Sequence, residues 1–142
     1  MRFWDASAVV PLLIKEPTYP ALSTLLESDS TLVVWWGTLV ECTSALARRE
    51  REGTLAAPDA TSAFDRLHQL AERWAEILPS SAVRNLAQRI LRTHTLRAAD
   101  SLQLAAAIVA SEHSPRSLEF VCLDAQLTNA ASREGFLIPK LV

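Results

Sequence analysis

Short β-type runs alternate with longer helix-period stretches along nearly the whole chain, and that alternation leaves few folds open. Residues 2–4 read as a strand stopping at Asp5. Thr31 to Trp36 is a β-branched and aromatic run ended by Gly37, and Glu76 to Leu78 stands before Pro79. Phe120 to Leu123 runs into Asp124, and Phe136 to Ile138 follows Gly135. Between them lie helical patterns at 8–15, 20–28, 38–51, 59–75, 82–93, 98–111 and 125–134. Leu39, Cys42, Ala45 and Leu46 share a face of the third, as do Phe64, Leu67, Leu70, Ala71 and Trp74 of the fourth. Pro11 is awkward inside the first, because proline has no backbone donor, and fits a helix that begins late or kinks. Ser80 and Ser81 stand where they can cap the fifth. Strands alternating with helices imply an α/β domain in which a mainly parallel sheet, here of four to five strands, is covered on both faces. The crossovers are expected to be right-handed.

Composition narrows the rest. At 142 residues, 49% apolar and 21% charged, the chain suits a single domain over 1–142 with its own core. Three Gly and seven Pro argue against a linker or a collagen-like chain. A net charge of −2 argues against nucleic-acid binding by bulk charge, while leaving room for a local basic patch facing an acidic site. Cys42 and Cys122 stand among apolar residues, make no ligand cluster, and read as buried thiols. No charged leader precedes a long apolar run, and no uncharged apolar run approaches the roughly 20 residues of a membrane span. The expectation is a soluble, cytoplasmic protein with no membrane partner.

In parallel sheets, ligands bind beyond the carboxyl ends of the strands. Four carboxylates stand at such junctions: Asp5 after the first strand, Glu41 in the first turn after the second, Asp100 near the start of the alanine-rich helix, and Asp124 after the fourth. Each has a structural alternative. Asp5 and Asp124 suit N-caps. Thr38-Leu39-Val40-Glu41 reads as a capping box. Asp100 complements a helix dipole. Converging, the four would repel one another and raise their own pKa values. A divalent cation relieves that repulsion, and oxygen donors suit Mg²⁺ or Mn²⁺, whereas no Cys/His set suits zinc.

Four stretches now resemble a known family. They are Phe3-Trp4-Asp5-Ala6-Ser7-Ala8; Glu41 with Ser44-Ala45-Leu46; Leu96-Arg97-Ala98-Ala99-Asp100-Ser101-Leu102-Gln103-Leu104-Ala105; and Phe120-Val121-Cys122-Leu123-Asp124-Ala125-Gln126-Leu127, followed by Ala130-Ala131 and Gly135-Phe136. The chain resembles PIN-domain ribonucleases, specifically VapC-type toxins of type II toxin–antitoxin pairs. The resemblance implies a PIN-like three-layer α/β/α fold and metal-dependent hydrolysis of RNA phosphodiesters, leaving a 5′-phosphate and a 3′-hydroxyl. It makes Asp5, Asp100 and Asp124 the metal ligands for Mg²⁺, with Mn²⁺ as the alternative, and Glu41 a ligand or the group that orients the attacking water. Ser7 either supports a ligand or a phosphate or is a helix-start hydroxyl, and Arg97, one turn before Asp100, either contacts the substrate phosphate or is a surface arginine paired with a neighbouring acid. The implied partners are the RNA substrate, a small VapB-type antitoxin and a second copy of the chain, with Leu22, Leu25, Leu26 and Trp35 or Trp36 as interface candidates. Cys122 departs from the family pattern of Thr or Ser at that place, and a thiol is a poorer donor.

Other residues carry less. Arg48, Arg49 and Arg51 suit RNA backbone or, with Glu50 and Glu52 interleaved, a solvated face. His68, His94 and His113 show no acid–base partner and read as structural or surface residues. One of Trp35 and Trp36 is core, and the other stacks a base or fills an interface. A dehalogenase-type fold lacks its second Asp, because position 7 is Ser, and a phospho-receiver lacks its paired acids and late lysine. The remaining alternative is a catalytically degenerate PIN domain that binds RNA or a protein partner.

Overall fold

Four strands of three or four residues make one sheet, and every one is buried on both faces or lies at its edge. The computed structural model describes residues 1–141. In chain order the elements are β1 (Arg2–Trp4), α1 (Ala6–Leu13), α2 (Tyr19–Ser28), β2 (Leu32–Trp35), α3 (Thr38–Arg51), α4 (Ala57–Ala71), β3 (Ala75–Ile77), α5 (Ser81–Thr93), α6 (Ala98–Ala110), a 3-10 turn at Pro115–Ser117, β4 (Glu119–Val121) and α7 (Ala125–Arg133). The sheet order is β3-β2-β1-β4 and all three pairings are parallel. Phe3 lies level with Val33 on one side and Phe120 on the other. All four carboxyl ends therefore open on the same edge.

Strand alternation divides the core in two. Phe3, Val33, Trp35 and Phe120 face α5, α6 and α7, where Phe120 stacks on Phe3 and meets Phe136 at a tilt, both at centroid distances of 5.5 Å. Trp4, Leu32, Val34 and Val121 face α1, α3 and α4 and meet Val9, Leu13, Cys42, Leu46 and Leu67. Helices on both faces complete three layers, as the alternation predicts. Leu104 to Ala107 on α6 are fully buried, and the small side chains of Ala105 to Ala107 let α5 pack closely through Val83, Ala87 and Ile90.

Several boundaries differ from the sequence expectation. α1 starts at Ala6 because Asp5 caps it, and it contains Pro11 and ends at Leu13. α4 ends at Ala71, so Trp74 leaves the helix and its indole N–H donates to Glu76 Oε2 at 3.0 Å. The expected last strand at 136–138 contracts to one parallel bridge between Glu119 and Leu137, and Pro139, without an N–H to pair, follows at once. Gly135 ends α7 at φ +106°, a conformation that favours glycine, and lets Phe136 N–H reach the Ala131 carbonyl at 3.1 Å. Among the described residues, no helix is long and apolar enough to cross a membrane.

Candidate active site

The carboxyl edge of the sheet gathers the four acids from four different turns. Asp5 leaves β1 with its own N–H tied to the Val121 carbonyl at 3.0 Å, which pins it against β4. Its carboxylate caps α1, accepting the Ser7 N–H at Oδ2 over 3.1 Å. Only 4% of Asp5 is exposed, and burial pushes its pKa upward against the hydrogen bonds from Ser7 and Cys122. Asp124 caps α7 in the same way, accepting the Leu127 N–H at 2.9 Å, but it is exposed. Both capping readings hold, and capping leaves the second oxygen of each carboxylate uncommitted by that bond.

Glu41 is half-buried in the first turn of α3. Burial first, then repulsion from Asp5 and Asp100, pushes its pKa to about 7 against a hydrogen bond from Gln103. Asp100, in the first turn of α6, is likewise raised by burial, then by Asp124 and Asp5, with Arg97 acting in the opposite direction. Asp5 thus acts on both Glu41 and Asp100, and Asp124 acts on Asp100, which places these carboxylates within electrostatic reach along one chain of neighbours. Five ion pairs form among the described residues, and none includes Asp5, Glu41, Asp100 or Asp124. The site thus concentrates anionic oxygens without a paired side-chain cation. Its donor set, oxygen from Asp and Glu alone, fits a hard divalent ion in chemistry and in charge. Among the described residues, no three Asp, Glu, His or Cys side chains stand grouped as ready ligands for one ion.

Ser7 and Cys122 brace this edge. The Leu123 N–H donates to Ser7 Oγ at 2.9 Å, tying the start of α1 to the turn after β4. Cys122 Sγ lies 3.6 Å from Asp5 Oδ2, 3.5 Å from Ser7 Oγ and 3.3 Å from the Asp124 N–H that donates to it. Burial, then the Asp5 charge, pushes the Cys122 thiol up to about 12, so it stays protonated at neutral pH and can donate to Asp5. Cys42, buried behind Glu41, is also pushed up to about 12. Both cysteines are buried and unpaired, as composition predicts.

The remaining candidates separate. Arg97 is exposed and close enough to Asp100 to lower its pKa. Arg48, Arg49 and Arg51 sit in the last turn of α3, away from Glu41, and Arg49 pairs with Glu16 on the α1–α2 connection. The expectation that no histidine has an acid partner is corrected for His94, which bonds Glu134 at 2.6 Å, while His68 bonds the Phe64 carbonyl at 2.8 Å, and neither contact involves the four edge acids. Trp35 is core and Trp36 is 52% exposed. Leu22 is fully buried, so packing explains it, and Leu25 and Leu26 pack partly against the same core. The capping box is corrected: Gly37 is the N-cap and makes no side-chain bond. The Thr38 hydroxyl instead accepts a hydrogen bond from Gln103 at 2.9 Å, a buried side chain that local sequence spacing does not single out.

The chain is similar to several solved structures. One is a toxin–antitoxin complex from Klebsiella pneumoniae, with 12% identity over 89% of this chain and 88% of that one at a TM-score of 0.63. FitAcB from Neisseria gonorrhoeae matches with 18% identity over 99% and 97% at 0.66. FitAB bound to an IR36 DNA fragment matches with 18% identity over 98% and 94% at 0.67. No family model and no curated protein matches the sequence. The likeness is one of fold, a PIN-like three-layer α/β/α domain.

Proposed function

We propose that this chain is a divalent-cation-dependent endoribonuclease acting as the toxin of a VapBC-type pair. The observation that carries the reading is the convergence of Asp5, Glu41, Asp100 and Asp124 on one sheet edge, with no cationic side chain paired to any of them. The fold's likeness to a chain of a toxin–antitoxin complex, and to chains of FitAcB and FitAB, supports it. Asp5, Asp100 and Asp124 are the residues to hold Mg²⁺ or Mn²⁺. The chemistry such an ion supplies is polarisation of a phosphoryl oxygen and activation of water near neutral pH.

The chain's own groups do the rest. The Ser7 N–H and the Cys122 thiol orient Asp5 from one side. Glu41, with a pKa of about 7, can hold or accept a proton at neutral pH, as orienting an attacking water requires. Arg97 stands at the rim of the site, where a guanidinium can contact a phosphate. A small antitoxin covering this edge would satisfy the acids and exclude RNA.

The test is cleavage of total cellular RNA by purified protein with Mg²⁺, with Mn²⁺ and with EDTA, beside Asp5→Asn and Asp100→Asn. Discrete fragments are expected with metal only. Each variant is expected to lose cleavage by at least about 10²-fold, the scale of one removed electrostatic contact, while keeping its circular dichroism spectrum. Undiminished cleavage by Asp100→Asn would overturn the site. Cation binding without any cleavage would favour the degenerate, binding-only PIN domain.

A further inference from the structure

Gln103 lies one turn beyond Asp100 on α6 and is fully buried. Its Nε2 donates to Glu41 Oε2 at 2.6 Å and to Thr38 Oγ1 at 2.9 Å. The amide thus turns its NH₂ toward Glu41, supplying the donor that the ionised form of this carboxylate needs. Its Oε1 is then left buried without a donor among the described residues. An unpaired buried acceptor is destabilising, and leucine or methionine would fill similar volume without one. Packing alone therefore does not account for an amide here. Nor does another bond fix Glu41, because among the described residues no second side-chain hydrogen bond reaches its carboxylate.

The two elements joined belong to opposite layers. α6 packs in the core on one face of the sheet and α3 in the core on the other. The amide crosses between them at the carboxyl edge, so one helix carries Asp100 and also holds Glu41. We infer that Gln103 is the positioning residue for Glu41, fixing that carboxylate relative to Asp100, with Thr38 holding the second N–H of the amide. This role rests on the nuclease reading of the four acids.

Two measurements keep the inference and that reading apart. In the ligand-free protein, the side-chain amide protons of Gln103 are followed by NMR. They are expected well downfield of an exposed glutamine and to move upfield in Glu41→Ala. Unmoved protons would overturn the contact whatever the enzyme does. Kinetics of RNA cleavage in Mn²⁺, with Mn²⁺ affinity from calorimetry, are then compared for Gln103→Met, Glu41→Ala and the double variant. Gln103→Met is expected to lower kcat by about 10²-fold with KM within about twofold, the scale of a catalytic group displaced by 1 Å. It is expected to add nothing in the Glu41→Ala background. Independent, multiplicative losses would make Gln103 a packing residue and overturn the role. Should Gln103→Met not fold, Thr38→Val is expected to lower kcat about tenfold and Thr38→Ser to restore it, and equal rates in the two would overturn it. No Mn²⁺ binding and no cleavage by the wild-type protein would remove the nuclease reading and the role with it, even where the amide protons report the contact.

Discussion

Glu41 combines burial, two carboxylate neighbours and a single amide donor, and its pKa near 7 follows from that imbalance. The sign of its effect on stability follows from linkage. The folded state holds the Glu41 proton more tightly than the unfolded chain, whose glutamate titrates near 4.5. Its contribution is fully present below that value and is lost as pH rises to about 7. Replacing the charge removes the penalty, so Glu41→Gln is expected to stabilise the cation-free protein at pH 8. Because the carboxylate is partly exposed and water screens it, the gain is about 1 kcal/mol, or about 3 °C in Tm. Thermal unfolding in EDTA at pH 5 and pH 8 checks this: the gain should appear at pH 8 and nearly vanish at pH 5. The four acids are legible in the sequence because each stands beside a strand end or a helix start. Gln103 is not, because its contact with Glu41 joins residues 62 positions apart and its type says nothing about which amide faces a carboxylate. Thr38 misleads for a related reason: its spacing to Glu41 fits a local cap, and a long-range amide takes the hydroxyl instead.

At the scale of elements, the turn from β2 into α3 sets where Glu41 stands. Gly37 caps α3 with its carbonyl accepting the Glu41 N–H at 3.0 Å. A Cβ at this position would lie 2.5 Å from Trp35 Nε1, and Trp35 is 8% exposed, with little room to withdraw. Gly37→Ala is therefore expected to cost about 1–3 kcal/mol by overpacking. Urea unfolding followed by tryptophan fluorescence measures the loss, and stability equal to wild type would show that the turn opens freely. The sequence marks this glycine as punctuation, and the close approach of the indole explains why it has no side chain. Elements with long periodic patterns, α3, α5 and α6, begin and end within a residue of the expectation. The ends that move are those settled by tertiary contacts: Trp74 turns to Glu76 instead of extending α4, and Leu137 finds one bridge partner instead of a strand.

Across the whole molecule, carboxylates with cationic partners and carboxylates without them pull stability in opposite directions with pH. Glu134 joins the end of α7 to α5 through two bonds from Arg89, at 3.0 and 3.2 Å, and one with His94 at 2.6 Å. The Arg89 guanidinium, then His94, holds the Glu134 carboxyl below its ordinary value. Its contribution is present above the unfolded pKa near 4.5 and is lost as pH falls through the lower folded value. The edge acids behave inversely: Asp5, Glu41 and Asp100 are raised, so the cation-free fold weakens as they ionise, Glu41 at about 7. Together these opposite slopes predict a stability maximum at or below about pH 4.5 in EDTA, with stability falling as pH rises toward 7. Saturating Mn²⁺ compensates the ionised edge and competes with protons there, so the maximum is expected to move to neutral pH or above. Tm measured from about pH 3 to 8.5 with EDTA and with Mn²⁺ checks both statements. Parallel curves in the two conditions would mean that the cation does not bind the edge acids. Glu134→Gln is expected to lower Tm at pH 6 in either condition and to flatten the acid limb alone, because its contacts lie in the layer of α5 and α7, with Arg89 and His94 rather than with the four acids.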